Sequence, residues 1–497
     1  MEKITLDIKT NILPIIAADA DTIILYLTEG ENNFNDAVKA VNDTLNGAIT
    51  ELIEGGDFKG ESNQVAVLYT RGAMKARRVI IVGLGEQDEI TVDTIRRAAA
   101  NGIKKARDLK AKDVATVPVA TEYAQAIVEG SLLGLYNYHG QKTNDTQQDL
   151  PESLELLVAD DSLLAEVRSG AEQGRAFASG TYLSRELVNL PPNICTPEYM
   201  AQRSRDMAAE VGLTVNVLEE QQMSALKMGA LLGVAQGSDT PPKLIIIEHN
   251  ADRAHELDSV VLIGKGITFD TGGYSLKPAA SMVGMKTDMS GGAAVIGAMR
   301  TVAELNVPLH VVGLIPAADN MINGHAYRPE EVVTASNGKT IEVISTDAEG
   351  RMLLADALVY AKRYEPVAVV DIATLTGACV VALGSASAGL FSTDDTLRDA
   401  LVNAGTATGE RVWPMPIFPE YSKAIKSKTA DMKNTGGRMG GVGTSAAFLK
   451  NFVDFPAWAH VDMAGMAWDA NDVAYIPEGA TGYGARLLAK LVVDMGE

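Results

Sequence analysis

Ile341-Glu-Val-Ile-Ser-Thr-Asp-Ala-Glu-Gly-Arg351 reads as the joint between a strand and a helix. Ile341–Ile344 is rich in β-branched residues and predicts a strand. Leu353, Leu354, Ala357, Leu358 and Ala361 then recur at helical spacing. In an extended chain alternate side chains share a face. Asp347, Glu349 and Arg351 are therefore expected to point one way, and Thr346, Ala348 and Gly350 the other. In an open α/β sheet the end of a strand just before a helix is where ligands bind.

A second acidic stretch lies upstream, in Gly264-Lys-Gly-Ile-Thr-Phe-Asp-Thr-Gly-Gly-Tyr-Ser-Leu-Lys277 and on to Asp288. Lys265 and Asp270 follow an apolar strand, Val260–Gly264. Gly272 and Gly273 let the backbone turn sharply and approach a ligand. Lys277 precedes a proline, which biases it to an extended conformation. Asp288 precedes a helical pattern for which Ser290 is the expected N-cap. With Asp347 and Glu349 this gives four carboxylates and two lysines near strand ends. So many ionised carboxylates share a pocket only if cations offset them. Hard divalent ions suit an all-oxygen set, and four carboxylates suit a pair of them. The six histidines form no His-Glu-x-x-His motif and offer no rival site. On residue type alone, Lys265 reads as a salt bridge to the acids, and Arg351 as a partner of Asp347 or Glu349.

The rest of the pattern is α/β. Ile4–Ile8, Thr22–Thr28, Val65–Tyr69, Arg78–Val82, Val114–Val119 and Leu154–Ala159 read as strands. Phe34–Ile53, Val92–Leu109 and Tyr123–Leu135 read as helices between them. A long helical stretch, Leu163–Leu190, ends at Asn189-Leu-Pro-Pro-Asn193, and Thr196-Pro197 opens another helix. Beyond it, Leu244–His249, Val260–Gly264, Leu309–Ile315, Val367–Ala373 and Ala459–Met463 are short apolar strands. The helices expected among them are Ser290–Leu305, Met352–Tyr364 and Thr396–Ala404. Apolar strands joined by helical crossovers predict a mainly parallel sheet covered on both faces. The division expected is 1–162, a helical connector 163–192, and 193–497.

A chain of 497 residues exceeds one ordinary core, and its 46% hydrophobic and 22% charged content is that of a globular enzyme. A formal charge of −21 argues against a nucleic-acid or anionic-membrane surface as the main partner. Cys195 and Cys379 are the two cysteines, too few for a disulfide framework, and fit a cytoplasmic location. The first ten residues lack the apolar core of a signal peptide. Ile372–Thr393 is uncharged but interrupted by Gly377, Gly384 and Gly389, so buried strand and loops are expected rather than a membrane helix.

Taken together, Ser345–Arg351, Gly264–Lys277, Ala326–Pro329 and Asp371–Cys379 resemble the leucyl aminopeptidase (M17, cytosol aminopeptidase) family. The resemblance runs from about Glu186 to the end and departs at Ser345, Met352 and Thr271, where the family usually has asparagine, leucine and serine. It implies a macro-domain-like N-terminal α/β domain and a larger C-terminal catalytic α/β domain. It implies that Lys265, Asp270, Asp288, Asp347 and Glu349 hold two divalent ions, Zn2+ or Mn2+, with Co2+ or Mg2+ possible in one site. Asp270 and Glu349 would bridge them, Lys265 (as the neutral amine) and Asp288 would complete the more exchangeable one, and Asp347 the other. Lys277 would polarise the scissile carbonyl, and Arg351 would hold a bicarbonate acting as general base. Met285, Thr374 and Gly377 would line the pocket for the N-terminal side chain, under a glycine-rich loop, Gly436–Gly443. By themselves Met285 reads as core packing and Thr374–Gly377 as a strand-end turn. The activity implied is removal of leucine or another hydrophobic residue from peptides with a free N-terminus, by a homohexamer built as a dimer of trimers.

Three other readings are open to the sequence. Ile80-Ile-Val-Gly-Leu-Gly85 resembles the start of a dinucleotide fingerprint, but Gln87 and Asp88 follow where the third glycine belongs, so a tight turn is expected. A nucleotide- or ADP-ribose-binding module is disfavoured on that ground, and DNA binding by the net charge. A serine hydrolase lacks its Gly-x-Ser-x-Gly elbow.

Overall fold

The structure, a computed structural model, describes residues 6–30, 34–143, 149–468 and 473–497. The chain forms two compact units, Met1–Ser179 with Asp472–Pro477 and Gly180–Asn471 with Glu478–Glu497. The boundary falls inside the helix Asp161–Asn189, within the stretch expected to be helical at Leu163–Leu190.

The first unit is a six-stranded sheet in the order Asp7–Ile12, Ser153–Val158, Asp113–Thr116, Thr22–Leu27, Arg78–Gly83, Val65–Tyr69. All pairs are parallel except the last. Thr22–Leu27 and Arg78–Gly83 are buried along their whole length, as central strands of a covered parallel sheet must be. Ile4 and Thr5 of the first expected strand lie outside the described residues. Phe34–Ile53 is two helices, Asp36–Thr44 and Ala48–Glu54, because Asn46 and Gly47 adopt φ of 54° and 85° between them. The Asn42 side chain then accepts from the Ile49 amide at 2.9 Å and seals the break.

The second unit is built on a nine-stranded, mainly parallel sheet. Its middle runs Trp458–Asp462, Ala368–Ala373, Ser259–Gly264, His310–Asn320, all mutually parallel. Val412–Pro414 and Ala388–Ser392 extend one edge, and Lys243–His249 and Thr214–Leu218 extend the other. The period of two decides which helix each face receives. Val312 and Leu314 pack with Leu353, Leu354 and Leu358 of the helix Gly350–Ala361. Gly313, between them, faces the helix Ser290–Glu304, where an added Cβ would sit 2.9 Å from Met299 and 3.0 Å from Val295. Glycine there lets helix and sheet approach closely.

Several expectations change in detail. The strand at Leu309–Ile315 is longer, His310–Asn320, because its end pairs with a short additional strand, Gly266–Asp270. Ser290 is no N-cap: the 3-10 turn Met285–Met289 runs directly into the helix, and the Ser290 hydroxyl donates to the Thr287 carbonyl at 2.5 Å. Ile372–Thr393 contains a helix, Gly377–Leu383, as well as the strand Ala388–Ser392. No described helix is long and apolar enough to cross a membrane.

The largest correction concerns Ile341–Arg351. Its strand is only Thr340–Glu342 and belongs to a separate three-stranded sheet with Val332–Thr334 and Met432–Lys433. Side chains then take the backbone donors that a ladder would use. Asn434 Oδ1 accepts from the amides of Ile344 (2.8 Å) and Ser345 (3.3 Å), and Ser275 Oγ accepts from Thr346 (3.0 Å). Asp347 lies in a turn, and Arg351 in the first turn of the helix Gly350–Ala361. Strand alternation therefore does not align Asp347, Glu349 and Arg351; the turn and the helix start do.

Candidate active site

Two segments that bring the acids together are knotted by hydrogen bonds. Gly272 and Gly273 adopt left-handed φ of 86° and 61°, and added Cβ atoms would sit 2.5 Å from the Ser275 carbonyl and 2.8 Å from Thr346 Oγ1. This tight turn lets Thr346 Oγ1 donate to the Gly272 carbonyl at 2.6 Å while accepting from the Ser275 amide at 2.7 Å. Asp270 and Asp347 are thereby held side by side. Carboxylate oxygens of Asp270, Asp347 and Glu349 lie within 4.8 Å of one another. The Asp347 side chain is 38% exposed; those of Asp270 and Glu349 are each 3% exposed.

Asp288 stands beside this triple and is joined to it through Lys265. Lys265 Nζ lies 2.8 Å from Asp288 Oδ2 and 2.8 Å from Glu349 Oε1, and donates to the Thr374 carbonyl at 3.0 Å. The small Gly350 makes room for it: an added Cβ would sit 2.5 Å from Lys265 Cε. Lys277 Nζ lies 2.8 Å from Asp270 Oδ2 and 2.5 Å from Asp347 Oδ1. All seven expected ligand and catalytic residues thus meet at one cleft of about 990 Å³. Met285, Thr374 and Gly377 line the same cleft, as do Gly437 and Gly440 of the glycine-rich loop.

The electrostatics follow from crowding acids out of water. Burial raises the pKa of Asp288 and Glu349, Lys265 opposes this, and neighbouring carboxylates reinforce it. Burial and Glu349 likewise raise Asp270 against the pull of Lys277. Burial alone would lower Lys265 and Lys277, but the carboxylates around them outweigh it and hold both above the ordinary lysine value. Both ammonium groups act as cations for a centre whose acids outnumber them. Burial brings Arg351 down to about 10, against the opposing charges of Glu349, Asp462 and Asp347.

The donor set fits divalent ions. Glu349 Oε2 is buried and has no hydrogen-bond partner among the described residues, so it keeps its lone pairs for a cation. Oxygen ligands from four acids suit hard cations. Arg351 Nη1 donates to the Asn434 carbonyl at 2.8 Å, while its buried Nε has no partner among the described residues, so it retains a donor for a small anion.

Some participants carried no signal in the sequence. Asp462 Oδ2 accepts from Thr376 Oγ1 at 2.6 Å, and Oδ1 accepts from the amides of Leu375 and Thr376 at 3.2 and 3.3 Å. It fixes the segment whose Thr374 hydroxyl donates to Asp288 Oδ1 at 2.7 Å. Asn320 and Tyr327 hold the Thr346 carbonyl. In the first unit, Gly83 serves close packing: an added Cβ would sit 2.1 Å from the Glu61 carbonyl. Only a single 3-10 turn, Gln87–Glu89, follows the glycines and the α-helix starts at Val92, so no α-helix opens on them as a dinucleotide site requires.

Residues 182–489 match the profile described as Cytosol aminopeptidase family, catalytic domain, and residues 24–145 that of its N-terminal domain. A probable cytosol aminopeptidase of Roseiflexus castenholzii is 46% identical over 461 residues, covering 91% of this chain and 94% of that protein. One of Syntrophotalea carbinolica is 42% identical, covering 97% and 98%. Among solved structures, a tomato leucine aminopeptidase mutant is 33% identical with a TM-score of 0.87, covering 98% of this chain and 96% of its own. The bottromycin maturation enzyme BotP in complex with Mn is 32% identical with a TM-score of 0.84, covering 96% and 100%.

Proposed function

This chain belongs to the cytosol aminopeptidase family and is a peptide hydrolase acting at N-termini, and from that premise we propose a two-metal enzyme that removes leucine or another hydrophobic residue. The observation that carries the reading is the convergence of Asp270, Asp347 and Glu349, with the Lys265–Asp288 pair beside them, in one cleft. Lys265, Asp270, Asp288, Asp347 and Glu349 would hold the ions, Zn2+ or Mn2+, with Co2+ or Mg2+ possible in one. The Mn named with BotP supports a metal of this kind. When bound, divalent ions supply Lewis acidity that eases deprotonation of water and polarises a carbonyl.

The chain's own residues would do the rest. Lys265 would hold an ion only as the neutral amine, with its proton given up to solvent and its pairing with Asp288 and Glu349 broken. Lys277, parted from Asp270 and Asp347 but keeping its proton, would stay cationic and hold the charge that develops on the scissile carbonyl oxygen. Arg351 would bind bicarbonate through its spare donor; that anion's chemistry would be that of a general base. The Thr374–Gly377 segment and Met285 would take the N-terminal side chain. A free substrate amine completes the polar end of the site, and this accounts for the restriction to N-termini.

We also place the functional division at the connector 163–192, with catalysis confined to 193–497. We further propose a homohexamer, a dimer of trimers, the assembly that the family resemblance implies. The relatives' names support a cytoplasmic location.

Leucine p-nitroanilide hydrolysis by chelator-stripped protein tests the reading. Activity should return with zinc, manganese or cobalt and be absent on an N-acetylated substrate. Folded protein inactive with every metal would overturn it.

A further inference from the structure

Asp270 has two oxygens with different surroundings. Oδ2 faces the cleft, 2.8 Å from Lys277. Oδ1 is turned inward and accepts from the Gly272 amide at 2.8 Å and from Asn320 Nδ2 at 2.7 Å. Asn320 Nδ2 also donates to the Thr346 carbonyl at 3.0 Å, one residue before Asp347. Both partners are acceptors only, so the amide can take only this orientation. Asn320 is fully buried, and its Oδ1 has no hydrogen-bond partner among the described residues. A buried amide that leaves its own acceptor unsatisfied while spending both donors on one site is held there for those donors.

The backbone arrangement leads to the same place. Asp270 pairs with Asn320 in the sheet, and the register slips between Ile267 and Asp270. Such a bulge re-aims a side chain; here it brings the carboxylate opposite the amide. The Asn320 carbonyl in turn accepts from the Thr271 amide (3.0 Å) and hydroxyl (2.9 Å). Asn320 thus grips both segments that carry Asp270 and Asp347.

We propose that Asn320 is a positioning residue: by clamping Asp270 Oδ1 and the Thr346 carbonyl it fixes which oxygens of Asp270 and Asp347 face the metal centre, and so sets metal affinity. This rests on the metal-binding reading above. Outer partners of metal ligands typically govern affinity by 10–100-fold.

The test is calorimetric titration of Mn2+ into metal-free wild type, Asn320→Leu and Asn320→Ala, with thermal melts of each metal-free protein. Leucine keeps the shape and removes the donors; alanine is the smaller alternative should leucine not fold. A 10–100-fold weaker Kd with metal-free melting held within a few degrees is the result expected. Unchanged affinity in a folded variant would overturn the proposal. So would loss that merely tracks a lowered metal-free Tm, or failure of both variants to fold, since either makes Asn320 purely structural. Wild type that binds no Mn2+ would instead overturn the metal-binding reading beneath it.

Discussion

Lys277 touches both Asp270 and Asp347 yet is proposed to stabilise charge rather than hold an ion, so its removal separates the two roles. Lys277→Ala is expected to keep its metal content and lose roughly 10²–10³-fold in kcat, the scale for one oxyanion donor. Metal analysis alongside kinetics checks this, and near-normal turnover would contradict the role. Asp288→Ala is expected to lose the ion that Asp288 and Lys265 share; two equivalents retained by elemental analysis would contradict the ligand assignment. At this scale the acids and lysines were legible in the sequence because charge crowded into apolar strand ends demands a reason. Asn320 and Asp462 were not, because each reads there as an ordinary polar residue at a strand end. The partners that tie them to the site, Asp270 and Thr346 for Asn320 and Leu375 and Thr376 for Asp462, lie 26 to 87 positions away in the chain.

Apolar strands and most periodic helices match the sequence reading closely, Phe34–Ile53 with its break at Asn46 and Gly47 excepted, and the short, irregular segments that build the site do not. The strand Ser259–Gly264 and the helix Ser290–Glu304 differ from their expected limits by a residue. Ile341–Ile344 misled because the amides of Ile344, Ser345 and Thr346 are taken by the Asn434 and Ser275 side chains, which no local pattern reveals. Two buried acids tie elements of the catalytic unit together. Asp356 accepts from the amides of Leu231 at 2.9 Å and Ser336 at 2.7 Å, joining the helix Gly350–Ala361 to two neighbouring segments. Asp356→Ala strands the buried Leu231 amide and the half-buried Ser336 amide, and denaturant unfolding should show a loss of about 1–3 kcal/mol. Asp371 joins two parallel strands by accepting from His460 Nδ1 at 2.5 Å and from Trp458 Nε1 at 2.7 Å. Burial would lower the His460 pKa, but the charge and hydrogen bond of Asp371 prevail and raise it above its ordinary 6.5. A histidine raised on folding contributes stability that is full below its unfolded value and fades as pH rises through the folded one. His460→Gln should therefore lower Tm more at pH 6 than at high pH. A penalty that does not change with pH would contradict a charged His460.

At the scale of the whole molecule, the net charge of −21 sets an expectation for binding. Filter binding to duplex DNA over a salt series should show no retention at physiological salt; strong retention would point to a local basic patch that the formal charge conceals. The two-part α/β plan was legible because buried apolar strands alternate with helices across both halves, whereas assembly leaves no periodic trace in one chain. Light scattering should give a mass six times the 52.6 kDa chain if the hexamer forms. Two divalent ions are proposed to sit among Lys265, Asp270, Asp288, Asp347 and Glu349. Anomalous diffraction from crystals grown with Mn2+ tests it most directly. Two peaks are predicted, both against Asp270 and Glu349, one completed by Lys265 and Asp288 and the other by Asp347. A single peak, or peaks away from these side chains, would contradict it.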